Sequence, residues 1–275
     1  NQRMAWGVTM LQNDDLDYYR EQANPENLDQ VRFGNHWEDL KIIEETISVK
    51  GKVDVPLRIR ISRHGPIIND VLESVGKTES QPVALAWQML SNFENSTEQV
   101  FYELSHSESL ADTQAAVSKL HAPGLNINYG DAEGNIAWWA AARLLIRPSH
   151  VNSFIILDAA GGRDEVLGYR DFSANPQAVN PRSGIVFNGN NQPGDAGNGL
   201  EPGYYAPEER AHRMSQLLDP DKFDWTAADM RQIQLDTKHP RISNFRQHFM
   251  KVISESSVRS KVFRQAAEVF KNWED

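Results

Sequence analysis

Apolar and polar positions alternate weakly around Met4-Ala5-Trp6-Gly7-Val8, which predicts a short strand over residues 2–9. The strand runs into an acidic loop, Asn13-Asp14-Asp15-Leu16-Asp17, and the pattern stays β-rich to about residue 75. "LKIIEETISVKGK" sets Ile and Val at near-alternate positions before a Lys-Gly turn. "VDVPLRIRISRHGPII" then alternates cleanly, with Val53, Val55, Leu57, Ile59 and Ile61 on one face and Arg58, Arg60 and Ser62 on the other. That second face should be exposed or paired with acids. Pro66 and Asn69-Asp70 end the element.

Helical periodicity follows. "QPVALAWQMLSNF" predicts a helix with Pro82 near its start, where proline is tolerated. "SHSESLADTQAAVSKLHAPG" places Leu110, Ala115, Ala116 and Leu120 at spacings that fit a helical face before Pro123-Gly124 stops it. "LNINYGDAEGNIAWWAAARLLI" reads as a β-hairpin turning at residues 130–135. One further apolar run, "FIILDAAGG", precedes a loop rich in Gly, Asn and Pro that contains "GIVFNGNNQPG". Beyond residue 200 four segments are helical, and Thr226 with Asp229 is spaced as a capping box. No internal repeat or flexible linker appears.

Composition narrows the class. The chain has 275 residues, 40% hydrophobic and 24% charged, enough to bury a full core. A net charge of -10 argues against a nucleic-acid surface. No apolar run approaches the roughly 20 residues of a membrane span. Cysteine is absent, which excludes disulfides, thiol catalysis and cysteine-ligated metals. The chain opens on Asn1-Gln2-Arg3 and closes on Trp273-Glu274-Asp275, and both ends read as cuts inside something longer.

Two clusters can carry chemistry. Asp14, Asp15 and Asp17 make either a solvated turn or, with carbonyl oxygens, part of a calcium site. Asn188, Asn190 and Asn191 make either turn chemistry or an oxyanion hole, an amide held at a strand end by Ile185-Val186-Phe187. His64 has no supported nucleophile beside it and reads as structural; no G-x-S-x-G or H-E-x-x-H motif is present. The remaining histidines do not group into a metal site, and Trp138-Trp139 reads as strand packing.

Taken in order, "NQRMAWGVTMLQNDDLDYY", "SRHGPII", "NINYGDAEGNIAWW", "GIVFNGNNQPG", "ERAHRM" and "IQLDTKHPR" resemble the penicillin acylase (penicillin amidase) family of N-terminal nucleophile hydrolases. The resemblance implies an α+β fold: part of a four-layer αββα core from residues 1–17 and 76–200, a β-rich insertion at 18–75 and a helical region at 201–275. It implies an internal piece of the β chain, with Asn1 at the asparagine of a "GHN" motif, lacking the nucleophilic serine. The α chain and the N-terminal part of the β chain would then be missing partners, the isolated fragment inactive, and the small-molecule substrate a linear amide. Acyl groups on β-lactams and N-acyl homoserine lactones are the substrate classes implied, and the periplasm the compartment.

Residue by residue, Met10 matches the backbone N–H of the oxyanion hole and Asn190 the side-chain amide that completes it, with Asn191 second should the motif slip by one. Leu11 and Gln12 match the acyl-pocket wall, here without an aromatic residue, and Arg210 an arginine near the substrate. Asp14, the Leu16 carbonyl, Asp17 and Glu201 match the ligands of a structural Ca2+. The rival reading is a non-catalytic, calcium-stabilised binding or structural module.

Overall fold

The computed structural model describes residues 3–91, 97–195, 199–255 and 260–272, so Asn1 lies outside the described residues. Along the chain, β1 (Met4–Met10) and β2 (Leu16–Arg20) are followed by two small sheets. One is β3 (Ala23–Asn24), β4 (Asn27–Phe33) and β5 (His36–Asp39); the other is β6 (Lys41–Ile47), β7 (Val55–Ser62) and β8 (Gly65–Pro66). A short helix α1 (Glu73–Thr78) leads to β9 (Val83–Trp87), α2 (Gln88–Ser91), α3 (Thr97–His106) and α4 (Leu110–Val117). Next come the hairpin β10 (Leu125–Asp131) and β11 (Ile136–Ala141), then β12 (Leu145–Ile146), β13 (Leu157–Asp158), β14 (Gly168–Tyr169), β15 (Gln177–Val179), β16 (Gly194–Asp195) and β17 (Gly199–Leu200). Four helices close the chain: α5 (Glu209–Leu217), α6 (Ala227–Gln234), α7 (Ile242–Glu255) and α8 (Lys261–Asn272). The architecture is α+β.

The sheet that positions the site has the order β1-β10-β11-β15, antiparallel throughout. One face carries Ile127, Tyr129, Ala137 and Trp139, which pack with Val100 and Leu104 of α3 and Ala116 and Val117 of α4. A smaller cluster packs Leu11, Ala140, Ala142 and Leu144 with Trp138 and Tyr205. Burying a leucine-sized side chain contributes about 1.5–3 kcal/mol, so these two clusters fix the sheet on which the site is built. By contrast, α5, α6 and α8 have no fully buried side chain among the described residues.

The alternation in "VDVPLRIRIS" forms β7 as expected, and its arginine face is paired: Arg58 with Asp29 at 2.6 Å and Glu44 at 3.2 Å, Arg60 with Asp70 at 3.0 Å. The hairpin and the Thr226/Asp229 capping box also form. Two expectations differ. "VALAW" is the strand β9 rather than the start of a helix, because β2 offers it a full antiparallel ladder and Val83 and Ala84 are completely buried there. Only Gln88–Ser91 is helical. Helix α3 was not foreshadowed by the pattern, and Ile185-Val186-Phe187 forms no strand. Strand β2 begins at Leu16 and pairs with β9.

Candidate active site

Two stretches nearly two hundred residues apart lie side by side. Past the end of β1, Asp14 N–H donates to Pro202 O at 3.1 Å and Tyr204 N–H to Gln12 O at 2.8 Å, while Ala206 N–H donates to Asn190 O at 2.9 Å. Asn13 and Gly203 form a β-bridge. Glycine is required at two points of this junction. A Cβ on Gly203 would collide with the Gln12 carbonyl, and one on Gly189 would lie 2.7 Å from Ala211 N, at the start of α5.

The register of β1 decides where the Met10 peptide groups point. Leu11 N–H donates to Gly124 O at 3.0 Å, which makes Leu11 a hydrogen-bonded position of the antiparallel ladder. Hydrogen-bonded and non-hydrogen-bonded pairs alternate, so Met10, opposite Leu125, turns its N–H away from the backbone of β10. Strand β1 is the edge of its sheet among the described residues. Met10 itself is 49% exposed.

Asn190 meets that edge. Its Nδ2 donates to Met10 O at 2.7 Å, and its Oδ1 accepts from Arg210 Nη2 at 2.8 Å. The residue sits at φ 58°, in the left-handed region that asparagine tolerates better than most side chains. Asn188 shapes the turn: its Oδ1 accepts from Asn190 N–H at 2.7 Å and from Thr9 Oγ1 at 3.2 Å. Asn191 folds back on the same turn, accepting from Gly189 N–H at 3.2 Å. Of the three amides, Asn190 is the one brought to Met10. A second amide reaches the same carbonyl from the core side: Asn126 Nδ2 donates to Met10 O at 3.0 Å. Beside Asn188 and Arg210, a cavity of about 250 Å³ has an apolar wall of Met214, Leu217 and Ile233.

The two expected acyl-pocket residues separate. Gln12 is exposed at φ 60°, whereas Leu11 is 0% exposed and packed among Ala140, Ala142 and Leu144. The end of β1 turns Leu11 inward.

The acidic loop is organised by a residue that the sequence pattern did not flag. Arg147 lies 3.2 Å from Asp14 Oδ2 and 3.0 Å from Asp17 Oδ2, and donates to the Asp14 carbonyl at 3.2 Å. Ser153 Oγ also donates to Asp14 Oδ2. Burial raises the Asp17 carboxyl above its usual range against the opposing pull of Arg147, and burial raises Asp15 despite a hydrogen bond from Trp87. Asp14 Oδ1 and Asp17 Oδ1 are buried without a hydrogen-bond partner, the kind of oxygen a hard cation takes up. Leu16 is in β2, opposite Trp87. Glu201 is turned to Arg170 at 2.8 Å. Among the described residues no group of three or more His, Cys, Asp and Glu side chains is arranged to hold a metal ion.

His64 is structural in its setting, as expected, yet it is not isolated. Its Nδ1 lies 2.8 Å from Glu21 Oε1 and its Nε2 2.7 Å from Glu165 Oε1, with the ring stacked 4.1 Å from Tyr19. Burial pulls the imidazole down, but the hydrogen bonds to Glu165 and Glu21 outweigh it and hold it at about 9. The clamp joins β2, the β7–β8 turn and the loop before β14. An arginine directly after an apolar run (Arg147) and an asparagine inside a strand buried on both faces (Asn126) were the available sequence signals for what the pattern missed.

The family model described as penicillin amidase matches residues 1–275. Acyl-homoserine lactone acylase QuiP of Pseudomonas aeruginosa is 28% identical over 242 residues, which cover 84% of this chain and 28% of that protein. Penicillin acylase 2 proenzyme of Pseudomonas sp. (strain SE83) is 26% identical over 273 residues, covering 96% of this chain and 33% of that protein. The chain therefore spans about a third or less of the length of these curated relatives. Among solved structures, a thermostable penicillin G acylase from Alcaligenes faecalis shares the fold with a TM-score of 0.75 at 22% identity, over 99% of this chain and 48% of that one. With the whole sequence matched, the chain belongs to the penicillin amidase family of hydrolases.

Proposed function

We propose that this chain supplies the oxyanion-binding part of an amidohydrolase that cleaves a linear amide through an acyl-enzyme. The nucleophile is an N-terminal serine in a segment of the parent protein outside this sequence. Its hydroxyl attacks the amide carbonyl while its own α-amino group takes the proton. The carbonyl π electrons move onto oxygen, and the developing oxyanion accepts from Met10 N–H and from the second N–H of Asn190 Nδ2. As the carbon–nitrogen bond breaks, the amine leaves with the proton from the α-amino group; water then releases the acyl group by the reverse sequence.

The observation that carries this reading is the placement of Asn190. Its amide lies 2.7 Å from Met10 O, at the strand edge toward which Met10 N–H also points, and Arg210 holds its oxygen. Both amide donors are neutral and pre-oriented, which is what charge developing only in the transition state rewards. The β-lactam acyl side chain and the N-acyl homoserine lactone are the substrate classes, in keeping with the names of the two relatives. The periplasm is the proposed compartment, on family likeness alone.

A structural calcium ion is part of the same proposal. Asp14 and Asp17 would hold it through the oxygens left without partners, joined by the Leu16 carbonyl and by a Glu201 released from Arg170. Its role would be to neutralise buried carboxylates. Calcium added to the chelated full-length protein should then raise its melting temperature; no shift at millimolar calcium would remove the ion from the reading.

The deciding experiment is amide-hydrolysis kinetics on the full-length, processed protein, with phenylacetyl, short aliphatic and long-chain acyl amides. Asn190→Ala should lower kcat by about 100- to 1,000-fold. Unchanged kcat in that variant would overturn the oxyanion assignment.

A further inference from the structure

Asn126 is an odd residue for its position. It is the second residue of β10, opposite Thr9, between Leu125 and Ile127, and is 0% exposed. An unpaired amide there would cost on the order of 1–3 kcal/mol relative to an aliphatic side chain, so its partners matter. Its Oδ1 accepts from Trp138 Nε1 at 3.0 Å and its Nδ2 donates to Met10 O at 3.0 Å.

These bonds complete a chain from the core to the surface: Trp138, Asn126, the Met10 carbonyl, Asn190, Arg210. Both ends are pure donors, an indole N–H and a guanidinium. Each can bond only to the oxygen of its neighbouring amide, so each turns the NH₂ group of that amide toward Met10. The carbonyl oxygen has two lone pairs, one for Asn126 from within and one for Asn190 from outside.

We propose that Asn126 is a positioning residue for the oxyanion site, acting through the Met10 carbonyl and set in its own orientation by Trp138. Asn126 fixes the carbonyl on which the Asn190 amide docks, and thereby the direction of the remaining Asn190 N–H. Asn126 touches no reacting atom. The inference rests on the reading of Met10 and Asn190 as oxyanion donors.

The test is a double-mutant cycle on the full-length, processed protein, with kcat and KM measured for the best amide of the panel. Asn126→Leu removes the donor at similar volume, and Trp138→Phe removes only the N–H that orients Asn126. Each is made in the parental and the Asn190→Ala backgrounds, with melting temperature followed in parallel. Asn126→Leu should lower kcat by about 10- to 100-fold with KM within about threefold, and Trp138→Phe by about three- to tenfold. In the Asn190→Ala background the same changes should cost less than about threefold, because the amide they orient is gone. Parental kcat in both single variants would overturn the proposal, as would equal losses in the two backgrounds, which would mark a purely structural role. Should Asn126→Leu fail to fold, Trp138→Phe alone decides by the same criteria. Parental kcat in Asn190→Ala would instead overturn the oxyanion reading on which the inference stands.

Discussion

The Met10 junction and the acidic loop are neighbours in sequence and opposites in physics. At Met10 all the groups that meet are neutral peptide and side-chain amides; the one charge, Arg210, bonds the far end of Asn190. Four and seven residues on, Asp14 and Asp17 are buried carboxylates gripped by Arg147. The His64 clamp resembles the second kind, a buried imidazole held between Glu21 and Glu165. Neutral amides that share one carbonyl can be fully ordered and still keep an N–H to give. Ion pairs in the interior spend their charge on each other, and their effect is to lock elements together.

The largest way to break this contrast is at Arg147. Arg147→Met leaves Asp14 and Asp17 buried without their cation, and unfolding of the full-length protein in urea should show a loss of about 3–5 kcal/mol. A loss under about 1 kcal/mol would mean that another cation already serves the two carboxylates.

Leu11 lies between the two regions and separates packing from substrate contact. Leu11→Ala should lower stability by about 2–5 kcal/mol through the cavity it leaves, with the order of acyl preference retained. Altered preference at unchanged stability would make Leu11 a pocket-wall residue and not a packing one.

His64 sharpens the contrast through pH. Its folded value is raised from 6.5 to about 9, so the folded state holds the proton more tightly than the unfolded chain. The stabilisation is fully present below the unfolded value and is lost as pH rises through the folded one, at most about 3 kcal/mol between those limits. His64→Gln should flatten the melting temperature over pH 6.5–9. An unchanged slope would show that the clamp does not govern it.

The smallest effect is expected at Arg210. Arg210→Lys keeps the charge but loses the planar donor on Asn190 Oδ1, and kcat should fall by about tenfold, or roughly 1.4 kcal/mol. A loss as large as that of Asn190→Ala would make Arg210 more than an orienting group.

Legibility differed along the chain for physical reasons. β1 and β7 could be read because their apolar and polar residues alternate, the β10–β11 hairpin because its Asp and Gly turn is local, and the Thr226 capping box because its bonds are local. β9 could not, since "VALAW" has no period of its own and became a strand only when β2 supplied a ladder. The asparagine motif and the acidic loop stood out as residues, but nothing local distinguished Asn190 from Asn191, or a calcium loop from a pair of acids on an arginine.

What the sequence determined by itself is the family, the α+β class and the residue types that can do amide chemistry, because these are matters of order, spacing and composition. What the tertiary structure decided is which of them meet. The ladder register turned Met10 outward and Leu11 inward, and the docking of Asn190, Pro202 and Tyr204 along residues 10–14 chose Asn190 from three asparagines. Arg147 and Asn126 acquired their partners on β1 and the acidic loop only when the chain closed on itself. Hydrogen bonds and ion pairs between residues more than a hundred positions apart leave no period in a sequence; they exist only once packing has fixed the distance and direction between the groups.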